Sequence, residues 1–288
     1  MNEMYSFKNK SSGSVAWWCF WPSLIFLGLS MVISIIGAIG IVVYLALTSG
    51  IDSPEQLITG VMRFLMPLNI VAQVIGTAIF LPIYLHYKKE AFPKVTKKCH
   101  WSVYIWSILF LIGVSTISAF FIDLLSRLWT PADGGIEAVT EMIFSGSLWA
   151  TVISTVIMAP IMEELMIRGL SLNKLLSGTK KWTAIIVSSI IFGVIHMNLL
   201  QGLNAIVLGI VLALVFIKTR SIIACMLCHA ANNLLSVIGG VLVIKDVANL
   251  DTINLWVNIG CIVLGIIGAF FFFKAKDAEL APAEVKEQ

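Results

Sequence analysis

Two adjacent carboxylates stand inside an apolar stretch that is otherwise suited to a lipid bilayer. Glu163 and Glu164 are followed by Arg168 one helical turn later. Burying charge in hydrocarbon costs free energy, so ionisable residues in such segments usually serve a function. In a helix, Glu164 and Arg168 would share one face with the acid first, an order that favours an ion pair. Glu163 would be rotated by about 100° from its neighbour, so it stays free to take a proton from water.

Histidines in two later apolar segments could complete a site with these carboxylates. Phe192 and His196 are four residues apart, as are His229 and Asn233, and this spacing puts each pair on one helix face. A histidine and an amide one turn apart can both donate hydrogen bonds to a developing oxyanion. Glu163, His196 and His229 are equally the residue types of a three-ligand zinc site with an open position. The spacing alone is compatible with either chemistry.

The depth of these groups in a bilayer can be counted from the polar turn near Lys180. Glu163 lies 17 residues before Lys180 and His196 lies 16 residues after it, so each stands about 25 Å of helix above the turn. We therefore expect the acid and this histidine to meet at one level. His229 comes only eight residues after Ser221, and it would lie lower unless its helix begins deeper or tilts.

A proline next to the acidic pair predicts a cavity there. Pro160 lies three residues before Glu163, and because it has no N–H to donate, it leaves a backbone carbonyl unpaired. At membrane depth, such irregular backbone is tolerated where it lines a cavity in the protein or one filled with water.

The elements that must position these residues are membrane-spanning helices. Of the 288 residues, 59% are hydrophobic and only 12% are charged, with a mean hydropathy of +0.96, which is typical of a polytopic membrane protein. Apolar runs of bilayer length predict an all-α transmembrane bundle of about eight spans, the sixth being the shortest. The first run is too long for a cleaved signal peptide, so we expect it to remain as an anchor. The runs cover residues 21–47, 65–87, 103–125, 147–170, 182–200, 203–217, 222–244 and 252–273.

Charge placement predicts how the bundle is oriented. Lysines and arginines precede the first span, concentrate in every second connection and follow the last span, whereas the other connections carry mainly Asp and Glu. This asymmetry places both termini in the cytoplasm of a multi-pass cell-membrane protein. The longest connection, about 126–146, could hold an amphipathic helix on the outer surface, and the charged tail from Lys274 is expected to be disordered. There is no basic stripe for a nucleic-acid partner, and the oligomeric state is left open.

The cysteines favour neither a disulfide framework nor a haem site. They are scattered and mostly lie within predicted spans. The sequence Cys225-Met-Leu-Cys228-His229 does match the spacing of c-type haem attachment. By the charge rule, however, it lies near the cytoplasmic end of its span, whereas this haem is attached on the opposite side of the membrane.

Taken in order, the motifs resemble those of the CPBP family, which comprises CAAX proteases and bacteriocin-processing enzymes and is also called the Abi family. The family pattern is Glu-Glu-x-x-x-Arg, then Phe-x-x-x-His, then His-x-x-x-Asn. Here it is complete as Glu163-Glu164-Leu-Met-Ile-Arg168, Phe192-Gly-Val-Ile-His196 and His229-Ala-Ala-Asn-Asn233. The likeness covers about residues 148–240. It divides the chain into about three N-terminal spans (1–146), a catalytic core (147–244), and a last span with a charged cytoplasmic tail (245–288).

This resemblance implies an intramembrane endopeptidase, either a metalloprotease or a glutamate protease, acting on a membrane-embedded or membrane-proximal peptide in the bilayer. Glu163, aided by His196, would activate the attacking water. His229 and Asn233 would stabilise the tetrahedral intermediate. No cofactor follows with certainty, although zinc is a candidate. Bacterial relatives are linked to bacteriocin or pheromone processing and to self-immunity.

The resemblance also implies a structural role for the ion pair: Glu164 and Arg168 would hold the frame of the site. Two other hypotheses compete with proteolysis. The chain could be a membrane immunity or binding protein that captures a partner without cutting it. It could also be a proton-coupled transporter, but it has no paired inverted halves and its buried charges cluster in the second half.

Overall fold

The computed structural model describes residues 5, 11–48, 53–128, 143–144, 146–245 and 249–281. Within these ranges the chain forms an all-α bundle with one small two-stranded sheet, so the predicted fold class is confirmed. Most of the connection 126–146 lies outside the described residues, and with it the expected amphipathic helix. The elements are α1 Ser12–Thr48, α2 Pro54–Glu90, β1 Val95–Lys97, α3 Ser102–Leu128, α4 Leu148–Gly178, α5 Lys181–Val194, α6 Leu199–Thr219, α7 Ile222–Ile244, α8 Leu250–Lys274 and β2 Glu279–Leu280.

The shortest of these helices is the fifth rather than the sixth. Within the described ranges, seven helices are long and apolar enough to cross a bilayer, whereas α5 has only 14 residues. The chain leaves the helix after Val194 because Met197 adopts a left-handed conformation with φ of 54°. Asn198 then caps α6 by accepting a hydrogen bond from Gln201 N. As a result α6 begins at Leu199 and has 21 residues, and Met197 in the α5–α6 turn is exposed on the surface of the bundle.

The helix that carries the acidic pair is not a regular α-helix. Two π-helical segments, Val152–Met158 and Leu165–Leu172, interrupt α4. A π segment shifts the hydrogen-bond register and frees backbone carbonyls. Asn173 compensates at the second segment, because its Nδ2 donates to the carbonyls of Arg168 and Gly169, each at 3.0 Å.

The depth at which α7 begins places His229 beside the acidic pair. Ser221 caps this helix by accepting from Ala224 N, and Ile222 packs against Gly169 so closely that a Cβ on the glycine would lie 3.1 Å from Ile222 Cδ1. Gly169 lies six residues after Glu163, and His229 seven after Ile222. At about 1.5 Å per residue, Glu163 and His229 therefore lie at nearly the same distance from the contact between Gly169 and Ile222. The helix therefore starts deep within the bundle, which resolves the mismatch counted from sequence.

The lysine-bearing ends of the helices are joined at one end of the bundle. The buried hydroxyl of Tyr5 donates to Asn173 Oδ1 at 3.1 Å and accepts from Arg220 Nη1 at 2.9 Å. Burial raises the pKa of Tyr5, and the neighbouring guanidinium opposes part of that rise. At the same end, Lys218 forms an ion pair with Asp277 at 2.6 Å.

The expectation of a disordered tail is wrong for the residues that the structure describes. Strand β2 pairs antiparallel with β1. Ala278 N donates to the carbonyl of Lys218, and Ala281 N donates to that of Lys94. An exposed ion pair at 3.3 Å joins Lys97 to Glu279. Backbone pairing thus holds the start of the tail against the ends of α2 and α6, while residues 282–288 lie outside the described ranges.

Candidate active site

One cavity brings together the free acid, both histidines and the amide that the motifs singled out. Glu163, His196, His229 and Asn233 all line a space of about 370 Å³. The acid comes from α4, His196 from the turn after α5, and the other two residues from α7. Residues of α2, α3 and α6 complete the walls. The cavity that Pro160 predicted therefore exists beside the acidic pair.

Glu164 binds two cationic or polar partners with a single oxygen. Arg168 Nη1 donates to Glu164 Oε1 at 2.9 Å, and neither side chain is exposed. His229 Nδ1 lies 3.0 Å from the same oxygen. The other terminal guanidinium nitrogen, Nη2, donates to the carbonyl of Gly209 at 3.1 Å, while Nε is buried without a hydrogen-bond partner among the described residues. The ion pair expected from the spacing is present, and the structure adds that Glu164 also orients one of the two histidines.

Phe192 is packed against three of the site residues. Its ring lies edge-on to the imidazoles of His196 and His229, with centroid distances of 5.1 Å and 5.6 Å. The guanidinium carbon of Arg168 lies 4.6 Å from the ring centroid, within the range of a cation–π interaction. This aromatic side chain therefore fixes the positions of both histidines and of the buried cation.

The hydrogen bond of His196 determines which of its nitrogens can act on a substrate. Its Nδ1 lies 2.7 Å from the carbonyl oxygen of Phe192. Because a carbonyl only accepts, Nδ1 carries the hydrogen, and in the neutral ring Nε2 is left as a proton acceptor. The residue lies in the turn just after α5 and is only partly buried. His196 can thus accept a proton in the cavity.

Glu163 approaches His229 rather than the histidine expected to aid it. Glu163 Oε2 lies 3.8 Å from His229 Nε2, with the two side chains 16% and 9% exposed. No ion pair with His196 occurs in the described part of the chain, although both residues line the cavity. Oε2 is itself buried and lacks a hydrogen-bond partner within the described ranges. A carboxylate oxygen in this state can bind a water molecule and take its proton.

The amide of Asn233 is oriented by a carbonyl that Pro160 leaves free. In the first π segment, Ala159 N donates to Ser154 O, five residues back. With the same spacing of five residues, the N–H of residue 160 would donate to the carbonyl of Thr155. Pro160 has no N–H, so this bond cannot form. Asn233 Nδ2 donates to this carbonyl instead, at 2.8 Å. The donor side of the amide is therefore held at the cavity wall.

A cluster of three polar side chains in the cavity wall was missed by sequence reasoning. Asn69 and Gln73 of α2 contact Ser154 of α4, and all three line the cavity. Two amides four residues apart within an apolar span are a signal that could have found them, because polar side chains in such spans usually face other helices.

The candidate zinc ligands line one cavity but do not form a metal site in this geometry. The described residues contain no group of three or more His, Cys, Asp or Glu side chains that could hold one ion. The Nδ1 atoms of His196 and His229 are engaged by a carbonyl and by Glu164, which leaves the Nε2 atoms of both rings for other partners. We therefore derive no step through a metal, and zinc binding remains a prediction. The five cysteines are unpaired, and Cys225 and Cys228 are buried in the packed interior.

Comparison with known proteins relates part of the chain to a family of membrane proteases. Residues 145–235 match the family model described as Type II CAAX prenyl endopeptidase Rce1-like. The resemblance to the CAAX protease (CPBP) family is confirmed. No curated protein and no solved structure matches the chain. The matched segment holds all three motifs, so at family level this multi-pass membrane protein is related to CAAX-type intramembrane endopeptidases through its cavity-forming core.

Proposed function

We propose that this protein is an intramembrane endopeptidase that hydrolyses a peptide bond of a membrane-embedded or membrane-proximal chain, with Glu163 as the general base. The observation that carries the proposal is the position of Glu163. Its unpartnered Oε2 lies 3.8 Å from His229 Nε2 in a cavity of about 370 Å³ within the bundle. Packing among the helices limits the exposure of this carboxylate to 16%, so it can act on a confined water molecule.

Charge balance supports a pairing of Glu163 with His229 during the reaction. With His229 protonated, two carboxylates face two cations, since Glu164 already pairs with Arg168. Glu163 would take a proton from water as the oxygen attacks the carbonyl carbon of the substrate. The carbonyl then becomes an oxyanion, which a protonated His229 can stabilise by donating from Nε2.

Asn233 and His196 complete the proposed reaction. The amide nitrogen of Asn233 carries two hydrogens, of which the Thr155 carbonyl accepts one. The other can donate to the oxyanion. When the intermediate collapses, the C–N bond breaks and the leaving nitrogen needs a proton, which comes from the acid formed on Glu163. The acceptor Nε2 of His196 can orient the attacking water or pass this proton on.

The placement of the reaction in the cell is part of the same proposal. The lysine-rich ends of the helices meet at one end of the bundle, and we place that end in the cytoplasm. Glu163 lies 15 residues before Gly178, the last residue of α4, so the reaction would occur about 22 Å into the bundle. We assign catalysis to residues 147–244, and propose bacteriocin or pheromone maturation, or self-immunity, as the biological role.

The proposal can be tested with purified protein in liposomes. The probes are a farnesylated peptide ending in a CAAX sequence and a set of single-span peptides, incubated in ¹⁸O-labelled water. Hydrolysis predicts two fragments, with one ¹⁸O in the new carboxyl group, detected by mass spectrometry. Glu163→Gln protein should form fragments about 10²–10⁴-fold more slowly, whereas Glu90→Gln, which alters an exposed carboxyl at the end of α2, should cleave normally. Equal fragment yields from the wild type and Glu163→Gln would refute the assignment of the base.

A further inference from the structure

A second polar cluster of the cavity has no part in the reaction described above. Asn69 Nδ2 donates to Ser154 Oγ at 3.2 Å, and the hydroxyl in turn donates to Gln73 Oε1, also at 3.2 Å. Ser154 is fully buried and Gln73 is 3% exposed. Polar side chains buried this deeply cost free energy unless all of their groups are hydrogen-bonded. Asn69 is half-buried, and both amides line the cavity, where their remaining groups are available to a ligand.

The shared hydroxyl determines what the two amides offer to the cavity. In the observed arrangement, the Ser154 hydroxyl accepts from Asn69 and donates its one hydrogen to Gln73. Gln73 is left with its NH₂ group and Asn69 with its carbonyl, and neither group has a protein partner within the described residues. Turning both amides over would exchange these roles but leave one donor and one acceptor. In this arrangement the pair presents one hydrogen-bond donor and one acceptor, a helical turn apart.

A peptide backbone in an extended conformation has the complementary groups. The N–H and C=O of a residue in a strand point to the same side, where a partner can bind both. In an intact helix the same groups are already bonded within the chain. We propose that Asn69 and Gln73 bind the backbone of the substrate next to its scissile bond, and that the protein therefore acts on an extended or locally unwound segment. This inference rests on the proposed proteolytic function.

The position of the cluster fits such a role. Ser154 directly precedes Thr155, whose carbonyl holds the amide of Asn233. In the first π segment of α4, Thr155 therefore positions Asn233, the proposed oxyanion donor. The preceding residue, Ser154, positions the amides of Asn69 and Gln73 in α2. A backbone bound to Asn69 and Gln73 would lie in the same cavity as Glu163. Substrate binding and chemistry are thereby linked through adjacent residues.

Binding can be measured without chemistry by using Glu163→Gln protein and a fluorescent peptide from the cleavage test. Adding Asn69→Leu or Gln73→Leu should weaken the Kd by about three- to tenfold, the effect of one hydrogen bond. Asn258→Leu removes an exposed amide from α8, remote from the cavity, and should leave the Kd unchanged. Unaltered binding by both cavity variants would overturn the inference, even if the wild type cleaves the peptide.

Substrates in which single peptide bonds are replaced by esters separate a binding role from a structural one. An ester lacks the N–H that the carbonyl of Asn69 would accept. At one position near the scissile bond, the ester should weaken binding to the Glu163→Gln background but cause no further loss in Asn69→Leu. Equal losses in both proteins at every position would mean that the amides only join α2 to α4. If the leucine variant folds poorly, the ester series in the Glu163→Gln protein alone still decides, because no loss at any position would overturn the inference, while the cleavage assay tests the base separately.

Discussion

Glu164 holds His229 in place, since its Oε1 lies 3.0 Å from the imidazole Nδ1 and accepts from Arg168 at the same time. This arrangement gives the second glutamate of the acidic pair a role as a positioning residue. The first glutamate remains available for chemistry because its neighbour already pairs with Arg168 and binds Nδ1 of His229. Of the two adjacent acids in α4, the first is therefore available for the proposed catalysis and the second has a structural role.

Loss of the buried carboxylate should destabilise the protein. Glu164→Gln leaves the fully buried Arg168 without a counter-ion, and removing one partner of a buried pair costs about 3–5 kcal/mol. We expect a clear fall in the thermal midpoint measured in detergent. The matched control is Asp123→Asn, because Asp123 and Arg127 form an exposed pair with the same spacing, which contributes about 1 kcal/mol or less. Similar midpoints for the two variants would contradict the account.

Removal of the amide of Asn233 should slow the chemical step. Asn233→Ala loses the proposed oxyanion donor, and the loss of one such donor lowers kcat by about 10²–10³-fold. The KM should change little, because the interaction forms in the transition state. Asn258→Ala serves as the control for removing an amide from a membrane helix. A rise in KM with an unchanged kcat would instead assign Asn233 to substrate binding.

The proline of α4 offers a test of how Asn233 is oriented. Pro160→Ala restores an N–H that can pair with the carbonyl of Thr155, in competition with Asn233 Nδ2. We expect the variant to fold but to lose activity on the order of tenfold, less than deletion of the donor. Pro82→Ala, which changes an exposed proline within α2, is the control. Full activity of Pro160→Ala would show that the carbonyl does not set the position of the amide.

Metal removal distinguishes the two chemistries that the motifs left open. Because the described residues assemble no three-ligand set, the proposed reaction relies on Glu163 and the histidines. Protein purified with chelators and free of zinc by elemental analysis should cleave at the rate of untreated protein. Stoichiometric zinc that is lost together with activity, and restored with it, would favour metal ligation by Glu163, His196 and His229.

Sequence spacing predicted much of the site because regular helices convert spacing into geometry. The Glu164–Arg168 pair and the common level of Glu163 and His196 both followed from counting residues. The early end of α5 was not visible, since the left-handed residue is Met197 rather than a glycine. The two π segments of α4 were equally hidden, because composition does not reveal a change of hydrogen-bond register.

Other features depended on contacts between distant parts of the chain. The depth at which α7 begins follows from the packing of Ile222 on Gly169, which no local pattern encodes. The contact of Glu164 with His229 joins residues 65 positions apart. The amides of Asn69 and Gln73 are joined into one cluster only by their hydrogen bonds with Ser154, which lies more than 80 positions later in the chain. Sequence therefore identified the reacting groups better than the residues that orient them.

The central claim is that Glu163 removes the proton from the attacking water, and the kcat of Glu163→Gln tests it most directly. The substitution keeps the size of the side chain but removes the base, which contributes about 10²–10⁴-fold to the rate. The account predicts a loss of that order with an unchanged fold and peptide affinity, while Glu90→Gln behaves as the wild type. An unchanged kcat for Glu163→Gln would contradict it.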